Sequence, residues 1–379
     1  MDLSIIIPTF NEASNVKKLV KRITAILKDN SCRYEILFID DSQDNTPLIL
    51  EQLVNEFPVV RTIHRRNKTG LASAVVEGFQ HCLGNKIIVM DADLQHPPEL
   101  LPLMLKRLSE ADIVIPSRFV AGGSDGGLNV IRKVISWTAR TIGRLAIKKL
   151  RNISDCTGGF FGLNRWVITN SPLDPIGWKI LMEVLVKGKY HSIHEIPYAF
   201  HIRDNGKSKM RLKEQANYLR HIVRLISSSP DDRRFYVFCL VGALGVIVNL
   251  LSLNLLLNVF HLDDLAASIL AGLIAVIHNF FWNDTFTWQE RKQAGIWKRL
   301  IQFPQFALVC GLGITVTTLI AQLLVLFGLS IYIGQLLGII LASRWTFTAN
   351  NRWTWSAAPQ NSAVDDHLVV TQELHSKLS

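Results

Sequence analysis

Beyond residue 234 this 379-residue chain carries four long apolar segments, at 235–257, 265–282, 303–327 and 329–347. Each is near or above the ~18 apolar residues that a helix needs to cross hydrocarbon. One such run can hide in a large soluble core, but four in succession cannot. The segments contain no acidic residue, and His278, Asn249 and Asn254 are their main polar groups. Ionisable groups inside a membrane mark coupled transport paths. Anchoring and product hand-over are therefore expected in place of driven transport.

These segments also repeat. FYVFCLVGALGVIVNLLSLNLLL at 235–257 aligns with FPQFALVCGLGITVTTLIAQLLV at 303–325. Asn283, Phe286 and Trp288 likewise answer Asn350, Trp353 and Trp355. The pattern predicts two copies of a two-span hairpin in the same orientation, a parallel repeat. Arg291, Lys292, Lys298 and Arg299 crowd the loop between spans two and three, whereas His261, Asp263 and Asp264 lie after span one. The positive-inside rule places that basic loop in the cytoplasm, and with it both ends of a four-span, multi-pass protein. The tail at 356–379 is polar and aperiodic, and is expected to be disordered.

A net charge of +10 with a mean hydropathy of +0.22 fits attraction to an anionic membrane face. Nucleic-acid binding would explain the charge but not the apolar content, so no nucleic-acid partner is expected. The cysteines at 32, 82, 156, 239 and 310 have neither metal nor disulfide spacing, which suits a reducing compartment.

Residues 1–229 differ in character. β-rich apolar runs at 3–7, 35–39, 59–63, 87–90 and 113–115 alternate with helical patterns near 12–28, 44–55, 70–82 and 97–109. That rhythm predicts an α/β domain with a mainly parallel sheet. Ligands of such sheets bind beyond the carboxyl ends of the strands. Three acidic segments fall there: Pro8-Thr9-Phe10-Asn11-Glu12, Asp40-Asp41-Ser42 and Asp91-Ala92-Asp93-Leu94-Gln95. An isolated D-x-D is also a common way for a strand to end and a turn to begin. In an extended segment, however, Asp91 and Asp93 project to one side. With Gln95 they can present oxygens to Mg2+ or Mn2+, ions that combine one or two carboxylates with substrate phosphates.

A basic loop, Arg203-Asp-Asn-Gly206-Lys207-Ser208-Lys209, offers phosphate donors around a glycine turn. Alone it would be a solvated surface turn; beside the acidic rim it reads as a lid over a metal-bound diphosphate. Two segments, about 127–150 and 213–228, interleave basic and apolar residues as membrane-interface helices do, although helices packed on the sheet would look similar. An enzyme of this design takes one substrate from water and the other from the bilayer.

IIIPTFNE (5–12), the IDDS–D–T pattern (39–46), Gly70-Leu-Ala-Ser-Ala74, MDADLQHPPE (90–99), TGGF (157–160) and R-x-x-G-x-S-K (203–209) resemble family 2 glycosyltransferases. More narrowly, they resemble the polyprenyl-phosphate sugar synthases of the dolichol-phosphate mannose synthase kind. The part from 230 to 355 resembles the four-span domain fused to such enzymes or found beside them in O-antigen glucosylation. The resemblance implies a GT-A fold and inverting transfer of a hexose from a nucleotide diphosphate to dolichyl or polyprenyl phosphate at the cytoplasmic membrane face. It favours mannose from GDP-mannose, with UDP-glucose as the alternative donor and a lipid-linked sugar translocator as the alternative role. A processive synthase would carry Q-x-x-R-W, but Leu341 stands at the glutamine position before Arg344-Trp345.

Residue by residue, the resemblance puts Pro8, Thr9, Glu12, Asp40, Asp41 and Ala92 at the nucleotide. Asp91, Asp93 and Gln95 would hold the divalent metal. Arg203 and Lys209 would close on the phosphates and act in catalysis with the two aspartates. Arg118 and Arg132 would bind lipid or donor phosphate. Gln43, Asn45 and Phe161 depart from the family pattern. Asp91 and Glu183 are the candidates if a general base is needed.

Overall fold

The computed structural model describes residues 1–66, 70–126, 130–200, 212–291 and 296–356. The chain divides into two compact units, Met1–Asp232 and Arg233–Ser379.

The first unit is built on a seven-stranded sheet in the order β3-β2-β1-β4-β6-β5-β7. Its strands are β1 (Leu3–Thr9), β2 (Tyr34–Asp40), β3 (Val60–His64), β4 (Lys86–Val89), β5 (Ile113–Ser117), β6 (Phe161–Asn164) and β7 (Ile193–Pro197). All pairings are parallel except those of β6, which runs against both β4 and β5. The mainly parallel GT-A-type sheet expected from the sequence is therefore present. Strands β6 and β7 were not foreseen.

Alternation along the strands sorts the core into two layers. Ile6, Leu37, Ile39, Ile87 and Val89 face one side. There they meet helices α3 (Leu71–His81), α6 (Ile180–Lys187) and α7 (Leu212–Ser228), which contribute Val75, Leu181 and Ile222. Ile5, Ile7, Ile36, Phe38 and Ile88 face the other side. They pack under α1 (Val16–Leu27), α2 (Thr46–Glu56) and α4 (Leu101–Arg107) through Leu19, Leu50 and Met104. Central strands covered on both faces must be apolar throughout, which is why they were readable as runs.

The expected helix at 127–150 is α5 (Val130–Ala146) followed by a separate 3-10 turn, Lys148–Leu150. Ala139, Ile142 and Ala146 of α5 pack on the core, while Val134, Trp137 and Leu145 stand exposed. Helix α7 is divided in the same way: Tyr218, Ile222 and Leu225 are buried, Leu219 and Val223 exposed. Both helices thus combine a core face with a second, exposed apolar face.

Helix α8 (Pro230–Asn258) starts just before the second unit, and α9 (Asp264–Trp282), α10 (Ile296–Leu326) and α11 (Ile331–Ala349) follow in order. Among the described residues, three segments are long and apolar enough to cross a membrane: Pro230–Asn258, Asp264–Thr287 and Ile301–Leu326. The fourth expected span is helix α11, in which Gln335 and Arg344 interrupt the apolar run. The repeat is visible in three dimensions. Helices α9 and α11 each end in a π-helical turn, Asn283–Thr287 and Asn350–Thr354. The tryptophans that follow, Trp288 and Trp355, stack with ring centres 4.2 Å apart. Trp288 Nε1 donates to Asn351 Oδ1 and Trp355 Nε1 to Asp284 Oδ1, so each repeat receives the other's indole. The tail at 357–379 lies outside the described residues.

Candidate active site

Parallel β1, β2, β3 and β4 end on one rim, where the three acidic segments fall. At the end of β2, Asp40 is fully buried. Its Oδ1 accepts from Thr9 Oγ1 at 2.9 Å and from Ser42 Oγ at 2.5 Å, and its Oδ2 meets His64 Nδ1 at 2.8 Å. Asp41 takes Arg65 Nε at 2.7 Å and Nη2 at 2.6 Å and accepts the Gly70 N–H at 3.1 Å. Gly70 has φ of 122°, a conformation open mainly to glycine. Of the residues expected at the nucleotide, Thr9, Asp40 and Asp41 thus brace the strand ends. Pro8 and Ala92 are buried, and Glu12 is half-buried.

The segment Asp91–Gln95, the expected metal motif, is shaped by a turn, not by the strand alternation that its spacing suggests. Strand β4 stops at Val89, and Leu94 takes φ of 63°, rare for a leucine. The reversal brings the Gln95 N–H to Asp93 Oδ1 at 3.1 Å. Asp93 is nearly buried, whereas Asp91 keeps about a third of its side chain exposed (31 %). A methyl group on Gly159 would lie 3.2 Å from Asp91 Oδ2, a tight contact, so glycine lets the TGGF loop approach this carboxylate closely. Two carboxylates and an amide, one carboxylate reachable and glycine-flanked, fit a cation that draws its remaining ligands from phosphate and water. Among the described residues, no group of three or more His, Cys, Asp or Glu offers a complete protein cage.

Across the sheet, at the end of β5, Arg118 Nε reaches Asp155 Oδ2 at 3.3 Å. Its guanidinium lies 5.0 Å from the Phe200 ring centre and 5.2 Å from that of Phe119. Arg140 covers the Phe119 ring at 3.7 Å and donates to Ser154 O at 3.1 Å. Lys179 Nζ donates to Thr157 O at 2.9 Å. Burial pushes its ammonium below the usual lysine range, against the pull of Asp155. Glu195 of β7 fixes this loop by accepting from Ser154 N at 3.0 Å and Ser154 Oγ at 2.6 Å. Arg118 pairs with the buried Asp155, and Arg140 and Lys179 hold carbonyls on either side of it. Three basic groups thus gather at one loop, a grouping suited to phosphate.

Arg203 and Lys209, the expected lid, lie outside the described residues; Arg132 falls on α5, its side chain likewise outside them. Sequence reasoning missed Asp155, Lys179, Arg140, Arg65 and His96. His96 stands inside the MDADLQHPPE motif. The pairing of Arg65 with Asp41, like that of Asp155 with Arg118, spans residues that only the fold brings together.

Glu183 needs correction as a candidate base. It is fully buried in α6 and accepts from His221 Nε2 at 2.6 Å, Lys187 Nζ at 2.5 Å and the Asp174 N–H at 2.9 Å. Burial raises its pKa, but hydrogen bonds from His221, Lys187 and the Asp174 amide outweigh this and hold it at about 2. Its stabilising contribution is complete above the ordinary value of 4.5 and is lost as pH falls towards 2. Glu183→Gln should cost about 3 kcal/mol at neutral pH. In urea titrations at several pH values, the gap from the parent should close between pH 4.5 and 2; a constant gap would count against the buried ion pair.

Residues 4–169 match glycosyl transferase family 2. Residues 237–355 match the GtrA/DPMS transmembrane domain. A dolichol-phosphate mannosyltransferase of Pyrococcus furiosus is 39 % identical over 358 residues, covering 94 % of this chain and all of that protein. The dolichol-phosphate mannosyltransferase of Saccharomyces cerevisiae is 35 % identical over 59 % of this chain and 87 % of its own length. An undecaprenyl-phosphate mannosyltransferase of Micrococcus luteus is 34 % identical over 54 % of this chain and 86 % of its own.

Proposed function

The chain belongs to the glycosyltransferases of the dolichol-phosphate mannosyltransferase family, and from that premise we propose that it transfers mannose from GDP-mannose to a polyprenyl phosphate at the cytoplasmic face of a membrane. The observation that carries the reading is one ligand rim bearing an acidic turn, Asp91 to Gln95, at the end of β4 and a cationic cluster, Arg118, Arg140 and Lys179, at the end of β5. The first suits a diphosphate held through a cation, the second a phosphate monoester.

The lipid phosphate is the nucleophile. Its second pKa is about 6, so it is mostly a dianion at neutral pH and needs no strong base. This agrees with the commitment of Glu183 to the core. Arg118, backed by Asp155 and steadied on Phe119 and Phe200, is preorganised to fix the attacking oxygen. Arg132, from the same family motif set, would bind lipid or donor phosphate. A Mg2+ or Mn2+ ion held by Asp91, Asp93 and Gln95 would neutralise the departing diphosphate. Arg203 and Lys209 would close over the phosphates. The exposed apolar faces of α5 and α7 support docking at the bilayer surface, where the acceptor arrives. The basic loop around Arg291 and Arg299 supports a four-span arrangement with the catalytic unit in the cytoplasm.

Membranes containing the full chain should be incubated in turn with labelled GDP-mannose, UDP-glucose and other nucleotide sugars. Label from GDP-mannose is expected in the lipid phase as a mild-acid-labile product that requires added polyprenyl phosphate. Incorporation from UDP-glucose alone would replace the donor, and label appearing only in polymer would reject the reaction.

A further inference from the structure

We propose that His96 is a positioning residue for the metal motif, setting the Asp91 carboxylate through the backbone. The inference rests on the proposed role of Asp91, Asp93 and Gln95 and goes beyond it, since it assigns the imidazole to the backbone of the turn and not to the ligand set.

The amide of Asp91 reaches His96 Nδ1 at 3.0 Å. A backbone amide can only donate, so Nδ1 must turn a lone pair towards it, and the ring proton sits on Nε2. The ring is nearly inaccessible, at 3 % exposure. It stacks on Phe160 at 5.0 Å with planes 20° apart, and meets Tyr198 and Phe200 edge-on at 6.4 and 6.0 Å. Three aromatic rings therefore hold the acceptor atom beneath the amide that starts the turn.

This placement has two consequences for the site. The chain from 91 to 95 must reverse sharply, with Leu94 held at positive φ. The His96 bond closes the turn onto its own first residue, as the Gln95 N–H closes it onto Asp93. Phe160 also follows Gly159, whose backbone lies against the Asp91 carboxylate. The stacked ring thereby holds both the amide and the loop that border that carboxylate. Groups outside the ligand set that orient metal ligands typically govern about 10–100-fold in metal affinity.

The chemistry of substitution is specific. Asparagine can place Oδ1 near the position of Nδ1 and accept the amide. Glutamine extends its acceptor towards the position of Nε2 and leaves the amide unpaired. Phenylalanine keeps the stacking but has no acceptor.

The test uses the full chain in detergent, with Mn2+ binding read by electron paramagnetic resonance in the presence of GDP, and thermal unfolding read without metal. His96→Phe and His96→Gln should weaken Mn2+ about 10–100-fold, and His96→Asn should restore most of it. Apo unfolding temperatures should not follow that order. Parent-like Mn2+ affinity in His96→Phe would overturn the proposal. So would equal losses in the Phe, Gln and Asn variants that track apo stability. An Asp93→Ala control separates this from the underlying reading: if the parent's Mn2+ binding survives that change, the metal assignment itself fails.

Discussion

Asp93→Asn is expected to lower kcat by on the order of 10³-fold while leaving the fold intact. Asp93 is nearly buried, and its Oδ1 secures the Gln95 amide. Alanine would remove the charge and the turn staple together, confounding chemistry with local collapse. Asparagine keeps an oxygen able to accept that amide and removes only the charge. If the carboxylate serves a divalent cation, the amide variant should be nearly as inactive as the alanine variant. Its unfolding temperature should nonetheless stay close to the parent's. Turnover and unfolding measured on the same samples decide the matter: near-normal kcat in Asp93→Asn would remove the acidic turn from the metal site.

A second large effect is expected at Arg118. Arg118→Ala should reduce kcat/KM for the lipid phosphate by on the order of 10²-fold and cost about 3 kcal/mol of stability. The stability loss has a definite cause. Asp155 is fully buried, and without the guanidinium its charge loses a partner in a medium that cannot solvate it. Adding Asp155→Asn should therefore recover much of the stability of Arg118→Ala and little of its activity. Recovery of both would make Arg118 a structural partner of Asp155, with no role at the acceptor. Arg118→Lys should fall between, since an ammonium keeps the charge but not the planar face set against Phe119 and Phe200.

The sequence disclosed the elements whose burial is uniform. Strands β1, β2, β4 and β5 are covered on both faces and stand out as apolar runs. Strand β6 has four residues with a glycine among them, and β7 is an edge strand carrying His194 and Glu195. Neither has a pattern that separates it from a loop. The acidic rim was legible because parallel strands deliver their ends to one side. The partners of those acids were not, because Arg65 lies 24 residues from Asp41 and Asp155 lies 37 from Arg118. The D-x-D motif stands at a strand end, as its spacing suggests, but strand alternation does not shape it. Its carboxylates are placed by a reversal at Leu94, a conformation that no propensity assigns to leucine. Glu183 shows the opposite limit: by residue type alone it is a candidate base, yet its three donors make it part of the frame.

The reciprocal indole bonds of the membrane unit carry an implication about oligomers. Each two-helix repeat presents one tryptophan N–H to the other and offers one side-chain oxygen in return, Asp284 in the first and Asn351 in the second. A surface that both gives and receives the same contact is self-complementary in the manner of an isologous dimer interface. One hairpin of this design, freed from its covalent twin, would bury its tryptophan and meet its oxygen only by pairing with a second copy. Fusion within one chain replaces that concentration-dependent pairing with a fixed one. It also allows the two halves to differ: where a homodimer would have to carry the same residue twice, this chain sets an acid on one side of the tryptophan stack and an amide on the other.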